Sequence, residues 1–277
     1  MSNTRLRRSA AALVLAATAA LTVAGCSSAS PTPASSSAGD SMPANMPGMD
    51  MSSHSAAAPT QDTPVTPAAL ATVLTDQNGR TFTLGSLKGK TIVLTDFLTT
   101  CQEVCPMTSV NIHDVAAAVH AAGLDDEVAV LEGTVDAERD TPARLLAYQK
   151  LYGVEPAWSL FTAGSANTES FWKDFGVKFD RTKEDDPAPT DWLTGRPLTF
   201  DIDHDDAILV IDPTGHIRWE SNGMADTMGH RPPQKIYDFL SDEGRGNLAH
   251  PPAQSWTVAD VTSVLTTVTG HTVTAGS

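Results

Sequence analysis

Three runs rich in aliphatic and β-branched residues, TIVLTDFLT (91–99), EVAVLEGTV (127–135) and AILVID (207–212), are separated by segments with helical character. Runs of this length with little polar relief have the character of strands buried on both faces. The first is followed by Pro106, which suits a first helical position, and by MTSVNIHDVAAAVHAAG, which stops at Gly123. TPARLLAYQKLYG has Thr141 as N-cap, Pro142 in its first turn and Gly153 at its end. SLFTA reads as a short strand and TESFWKDFG as a helix, while AILVID, PTG and HIRWES form a strand, a turn and a strand. LATVLTDQNGRTFTL reads as a hairpin turning at Asn78-Gly79, and TVADVTSVLTTV as a last helix. The stretch from Asn222 to Ser255 has no decisive pattern. Strands alternating with helices predict a layered α/β sheet.

The N-terminus points outside the cytoplasm. Arg5, Arg7 and Arg8 precede an uncharged apolar run from Ala10 to Ala24, the order of an export signal. That run is short for a transmembrane span, which wants about 20 residues. It ends in LTVAGC, which resembles the lipobox of bacterial lipoproteins and makes Cys26 the lipidated first residue of the mature chain. The competing reading is an ordinary cleaved signal with an incidental cysteine. More than one acyl chain gives a stable anchor where a single chain is marginal. The expected location is therefore the extracytoplasmic face of the cell membrane, held by lipid.

Loss of residues 1–25 removes three of 18 basic residues and leaves 15 against 33 acidic ones, so the formal charge moves from −15 to −18. Phosphate binding needs clustered Lys and Arg, which argues against a nucleic-acid partner. Residues 26–66 are rich in Ser, Ala, Pro and Met, lack aromatic residues and are nearly uncharged, the composition of a disordered tether. Residues 67–277 are long enough for one domain with a sizeable core, and no internal repeat is visible.

Two of the three cysteines, Cys101 and Cys105, lie in FLTTCQEVCPMT, between a buried strand and a helix N-terminus. The helix dipole and free backbone N–H groups there favour thiolate by at most ~2 kcal/mol. Their spacing fits a structural disulfide, a redox couple or half of a metal site. A loop this short closes little chain entropy, so a purely stabilising disulfide is poorly motivated.

LTDQNGRTFTLGSLKGK, CQEVCP, TVDAERDTPARLLAY and DIDHDDAILVIDPTG occur in the order and spacing of the SCO/SenC family, which the chain resembles from about Ala68 to Glu220. The resemblance implies a thioredoxin-like α/β fold, here with an added N-terminal hairpin, a core over about 68–221 and a C-terminal helical extension over 222–277. It also implies copper as the metal, with Cys101, Cys105 and His204 as ligands. Two thiolates and an imidazole suit Cu(I), and zinc is the competing metal. The implied role is copper delivery, or maintenance of reduced cysteine ligands, for the copper-site subunit of cytochrome c oxidase or another copper donor or acceptor protein. A thiol:disulfide oxidoreductase and a copper or redox sensor are the alternatives. Thioredoxin-type reductases usually place a cis-proline before the facing strand, where DIDHDDAILV has His204 and no proline.

His204 on its own would read as a solvated histidine; the family pattern makes it a ligand. Asp201, Asp203 and Asp205 are near enough in sequence to orient its ring. The other histidines of the domain have no motif support. Two features depart from the family. MPANMPGMDMSSHS offers Met42, Met46, Met49, Met51 and His54 as an auxiliary copper-gathering set, since thioethers are soft ligands. MADTMGH brings Met224, Met228 and His230 together as a weaker candidate.

Overall fold

The computed structural model describes residues 61–276. Its elements in order are β1 (Thr63–Pro64), α1 (Pro67–Ala71), β2 (Leu74–Asp76), β3 (Thr81–Phe82), β4 (Thr91–Phe97), α2 (Cys105–Ala121), β5 (Val128–Thr134), α3 (Pro142–Tyr152) and β6 (Trp158–Thr162). There follow α4 (Thr168–Lys173), β7 (Phe179–Thr182), β8 (Asp201–His204), β9 (Ala207–Ile211), β10 (His216–Asn222), α5 (Gln234–Phe239), α6 (Asp242–Ala249) and α7 (Val258–Thr269).

Every residue of β4, β5 and β9 is buried, as their apolar runs require. An eight-stranded sheet has the order β1-β10-β9-β4-β5-β6-β2-β3. β4, β5 and β6 are parallel, β9 runs antiparallel to β4, and β10 antiparallel to β9. A β4-α2-β5 crossover followed by the β9-β10 hairpin and α7, with β4 central, is the thioredoxin-like arrangement. α7 packs on α2, β4 and β9 through buried Val261, Val264 and Leu265. It therefore closes the core, although the sequence reading groups it with the extension.

The expected hairpin is β2–β3, paired Leu74 to Phe82 and attached to the edge of β6. Its turn is fixed by Asp76, whose Oδ1 accepts from the Asn78 and Arg80 amides at 2.8 Å, and by Gly79 at φ +78°. Thr63 and Pro64, within the segment drawn as tether, pair with Ile217 and His216, so the ordered chain reaches back before residue 67. The remaining tether and the leader lie outside the described residues. Among the described residues no helix is long and apolar enough to cross a membrane.

β7 and β8 form a separate two-stranded sheet, with Phe179 opposite His204. In β8 the side chains alternate, so Asp203 is exposed while Ile202 and His204 turn inward. The undetermined stretch after Asn222 holds α5 and α6.

Candidate metal centre

Cys105 is the first residue of α2 and Pro106 follows it, in the turn where a missing N–H costs nothing. The helix has no side-chain oxygen at its N-cap. The Cys101 sulfur takes that place, accepting from the Cys105 amide at 3.4 Å and the Val104 amide at 3.5 Å. Both cysteines are free thiols, Cys101 half-buried and Cys105 fully buried.

β8 brings His204 across to them, with Nε2 at 3.3 Å from the Cys105 sulfur. The ring's other nitrogen, Nδ1, faces two acceptors, Asp96 Oδ2 at 2.6 Å and the Asp205 carbonyl at 2.8 Å. Two acceptors at Nδ1 place a proton there and aim Nε2 at the sulfurs. Among the described residues, Cys101, Cys105 and His204 form the group of potential metal ligands whose donor atoms lie within 4.8 Å of one another.

The carboxylate that orients the ring is Asp96, near the end of β4, not one of the aspartates flanking His204. Its Oδ1 also accepts from the Ala207 amide at 2.8 Å, tying β4 to the chain just after His204. The expectation for Asp201, Asp203 and Asp205 is corrected accordingly: Asp205 contributes its backbone carbonyl, while its carboxylate accepts from the Lys178 amide. Asp201 Oδ1 accepts from the Ile202 amide within β8. The signal for Asp96 was present in the sequence as one carboxylate within an apolar run directly before the cysteines.

The DAERD segment braces the loop ahead of Cys101. Asp140 accepts from the Thr99 amide at 3.0 Å and from Thr134 Oγ1 at 2.6 Å. Arg144 donates to Thr99 Oγ1 at 2.5 Å and to Asp191 at 2.8 Å, and the Trp192 indole donates to the Thr99 carbonyl at 2.7 Å. Burial raises Asp140 to about 6, with neighbouring Asp136 adding to the effect.

The two sulfurs differ electrostatically. A hydrogen bond from Cys105 holds the Cys101 thiol well below its ordinary range; burial opposes this, and His204 reinforces it. Burial pushes Cys105 up, and the neighbouring Cys101 adds to the rise. Burial opposes charge on His204, but Asp96 and Cys101 overcome it and hold the imidazole well above its usual value. In the metal-free centre these influences favour charge on Cys101 and His204 and oppose it on Cys105. Such a centre can attack a disulfide, or take a soft metal ion once Cys105 and His204 Nε2 give up their protons.

The other sequence candidates are not gathered here. Met224 is buried in the core, Met228 is exposed, and His230 hydrogen-bonds Asp114 on α2 at 2.9 Å. Cys26, Met42, Met46, Met49, Met51 and His54 lie outside the described residues.

A thioredoxin-like sheet with a thiol pair at the β4–α2 junction and a histidine facing it defines a protein whose centre is built for metal or redox chemistry. The SCO1/SenC family profile matches residues 66–227, more than half the chain, and the chain belongs to that family. The SCO1 protein homolog of Bacillus subtilis is 25% identical over 154 residues, covering 55% of this chain and 72% of that protein. An SCO2-like protein of Rickettsia prowazekii is 26% identical over 142 residues, 51% of this chain and 63% of its own length. The structure of Bradyrhizobium japonicum ScoI with copper bound matches at 24% identity and a TM-score of 0.46, covering 65% of this chain and 97% of that one.

Proposed function

We propose that this protein is a copper carrier, lipid-anchored through Cys26 on the extracytoplasmic face of the membrane. It holds one copper ion through Cys101, Cys105 and His204 and supplies it during assembly of the copper centre of cytochrome c oxidase. The observation that carries this reading is the convergence of two sulfurs and one imidazole nitrogen within 4.8 Å, with Nδ1 engaged by buried Asp96 so that Nε2 is the free ligand atom. Thiolate and imidazole donors suit Cu(I), and a structural zinc normally takes four protein ligands. The tether residues Met42, Met46, Met49, Met51 and His54 gather Cu(I) close to the centre and raise its local concentration. Deleting Met42–His54 therefore slows copper capture and leaves the core stoichiometry at one.

Copper stoichiometry on the reduced protein is the test. We expect one tightly held copper ion per chain and almost none after Cys101→Ser. Equal loading of both proteins would place the site elsewhere. A second reading, reduction of a client's disulfide, is favoured by one observation: the Cys101 thiol is held well below its ordinary range, the direction that favours the nucleophilic thiolate. Robust turnover on generic disulfides by a protein that binds no copper would favour that reading.

A further inference from the structure

The segment between β10 and α7 runs past residue 227, where the family match ends, and its helix α6 rests on the loop between the two cysteines. Gly244, in the first turn of α6, is buried and meets that loop backbone to backbone. A Cβ on it would fall 1.9 Å from the Gln102 carbonyl oxygen, a distance that no side chain can occupy, and a tight 3.1 Å from Glu103 Cα. Its backbone conformation is otherwise ordinary, so the requirement for glycine comes from the close approach alone.

Hydrogen bonds flank this contact. The Ser241 amide donates to the Gln102 carbonyl at 3.3 Å, and Asn247 Nδ2 donates to the Glu103 carbonyl at 3.3 Å. The Ser241 side chain also caps α6, accepting from the Gly244 amide at 3.0 Å. The third residue between the cysteines, Val104, accepts from the Met107 amide at 2.9 Å within α2. Every carbonyl between Cys101 and Cys105 is therefore committed, two of them to α6.

We infer that α6 is a clamp, with Ser241, Gly244 and Asn247 as positioning residues for the Cys101–Cys105 loop. The inference rests on the copper reading above. The clamp holds the loop in the dithiol arrangement that presents both sulfurs to His204. Its consequences are slow release of the metal and resistance to disulfide closure. A disulfide needs its sulfurs about 2.05 Å apart at a restricted dihedral angle, and a loop whose backbone carbonyls are held by α6 adjusts to that geometry less freely than an unheld one. Ligands fixed in place before binding lose less freedom on binding, which favours retention.

The test uses the full chain with two independent perturbations: Gly244→Ala, which wedges α6 off the loop, and Ser241→Ala with Asn247→Ala, which removes the hydroxyl cap that seats the first turn of α6 and the Asn247 tether to Glu103 without adding bulk, while the Ser241 amide is kept. Copper-loaded protein is mixed with excess Cu(I) chelator and the release rate is followed. Separately, metal-free protein is equilibrated with glutathione. There, oxidised glutathione takes two electrons and two protons from Cys101 and Cys105 and becomes two reduced glutathiones as the disulfide forms. We expect release to quicken and the equilibrium to shift toward disulfide by about fivefold or more, the scale of losing a partly buried hydrogen bond and a helix cap.

Leu74→Ala, on β2 and away from the loop, is the control for general loss of stability, and it should leave both readouts at wild-type values. If Gly244→Ala does not fold, the double variant carries the test. Wild-type behaviour of the double variant in both assays, or an equal change in Leu74→Ala, overturns the clamp. Should the wild-type protein hold no copper, the copper reading fails while the glutathione equilibrium still decides whether α6 restrains the thiols.

Discussion

Glu132 on β5 is fully buried beneath α2, accepting from Ser109 Oγ at 2.5 Å and from the Trp158 indole at 3.2 Å. Burial raises its carboxyl from an ordinary 4.5 to about 8, against the two hydrogen bonds that favour the ionised form. In the folded protein the group is therefore neutral at pH 6, whereas in the unfolded chain it is ionised. Unfolding between pH 4.5 and pH 8 releases a proton, so rising pH favours the unfolded state and this group's contribution to stability declines. The slope approaches about 1.4 kcal/mol per pH unit, or about 3 kcal/mol between pH 5 and pH 7.5.

Glu132→Gln removes the titration and keeps the shape, because the amide oxygen can accept from Trp158 while its N–H donates to Ser109, whose hydroxyl turns to Tyr148 at 3.1 Å. Urea unfolding of the reduced, metal-free protein and its Gln variant from pH 5 to pH 8 is the assay. The variant gains on the wild type as pH rises, reaching about 3 kcal/mol near pH 7.5, or roughly 6–12 °C in Tm. Other buried carboxyls titrate in both proteins and cancel in the difference. Parallel stability curves for the two proteins would refute the argument.

Asp96→Asn lowers copper affinity about 10–100-fold, the usual cost of losing a ligand-orienting carboxylate, because one amide oxygen cannot serve both His204 Nδ1 and the Ala207 amide. Competition with a Cu(I) chelator measures it, and an unchanged affinity would leave Asp96 a purely structural group. Gly133→Ala destabilises the fold by about 1–3 kcal/mol, since its Cβ would fall 2.3 Å from Phe161 Cζ and 2.6 Å from Trp172 Cζ2; chemical denaturation reads the loss directly. Cys26→Ser moves the protein from the membrane fraction to the soluble exported fraction or leaves the precursor unprocessed, and detergent-only extraction of that variant would sink the anchor.

The central sheet was legible because its strands are long, apolar runs and its helices carry caps and stops, as at Thr141, Pro106 and Gly123. The three candidate ligands were legible through the resemblance to the SCO/SenC family, since the spacing of Cys101 and Cys105 leaves disulfide, redox couple and metal site open and His204 alone reads as a solvated histidine. Asp96 is visible in the sequence as a lone carboxylate in an apolar run, but its role is not, because in a strand buried on both faces no alternation shows which side chains face the site. The β7–β8 sheet is not legible in the sequence, since β8 reads DIDH, mostly polar, and its partner lies some twenty residues upstream across a loop. α5 and α6 lack a strong apolar pattern, and α6 is held by close backbone contact with residues 102–103, a kind of contact that leaves only a glycine in the sequence as its trace. α7 was recognised as a helix but assigned to the extension, because its buried Val261, Val264 and Leu265 show amphipathicity without showing what they pack against.

The most direct test of the copper assignment is X-ray absorption at the copper edge on the reduced, loaded protein lacking Met42–His54, which removes the tether's thioether sulfurs. Coordination by two sulfurs and one imidazole nitrogen is predicted, with the sulfur signal lost in Cys101→Ser/Cys105→Ser and the imidazole signal lost in His204→Ala. A copper site with only nitrogen and oxygen neighbours, or a sulfur signal that survives loss of both cysteines, would contradict the assignment.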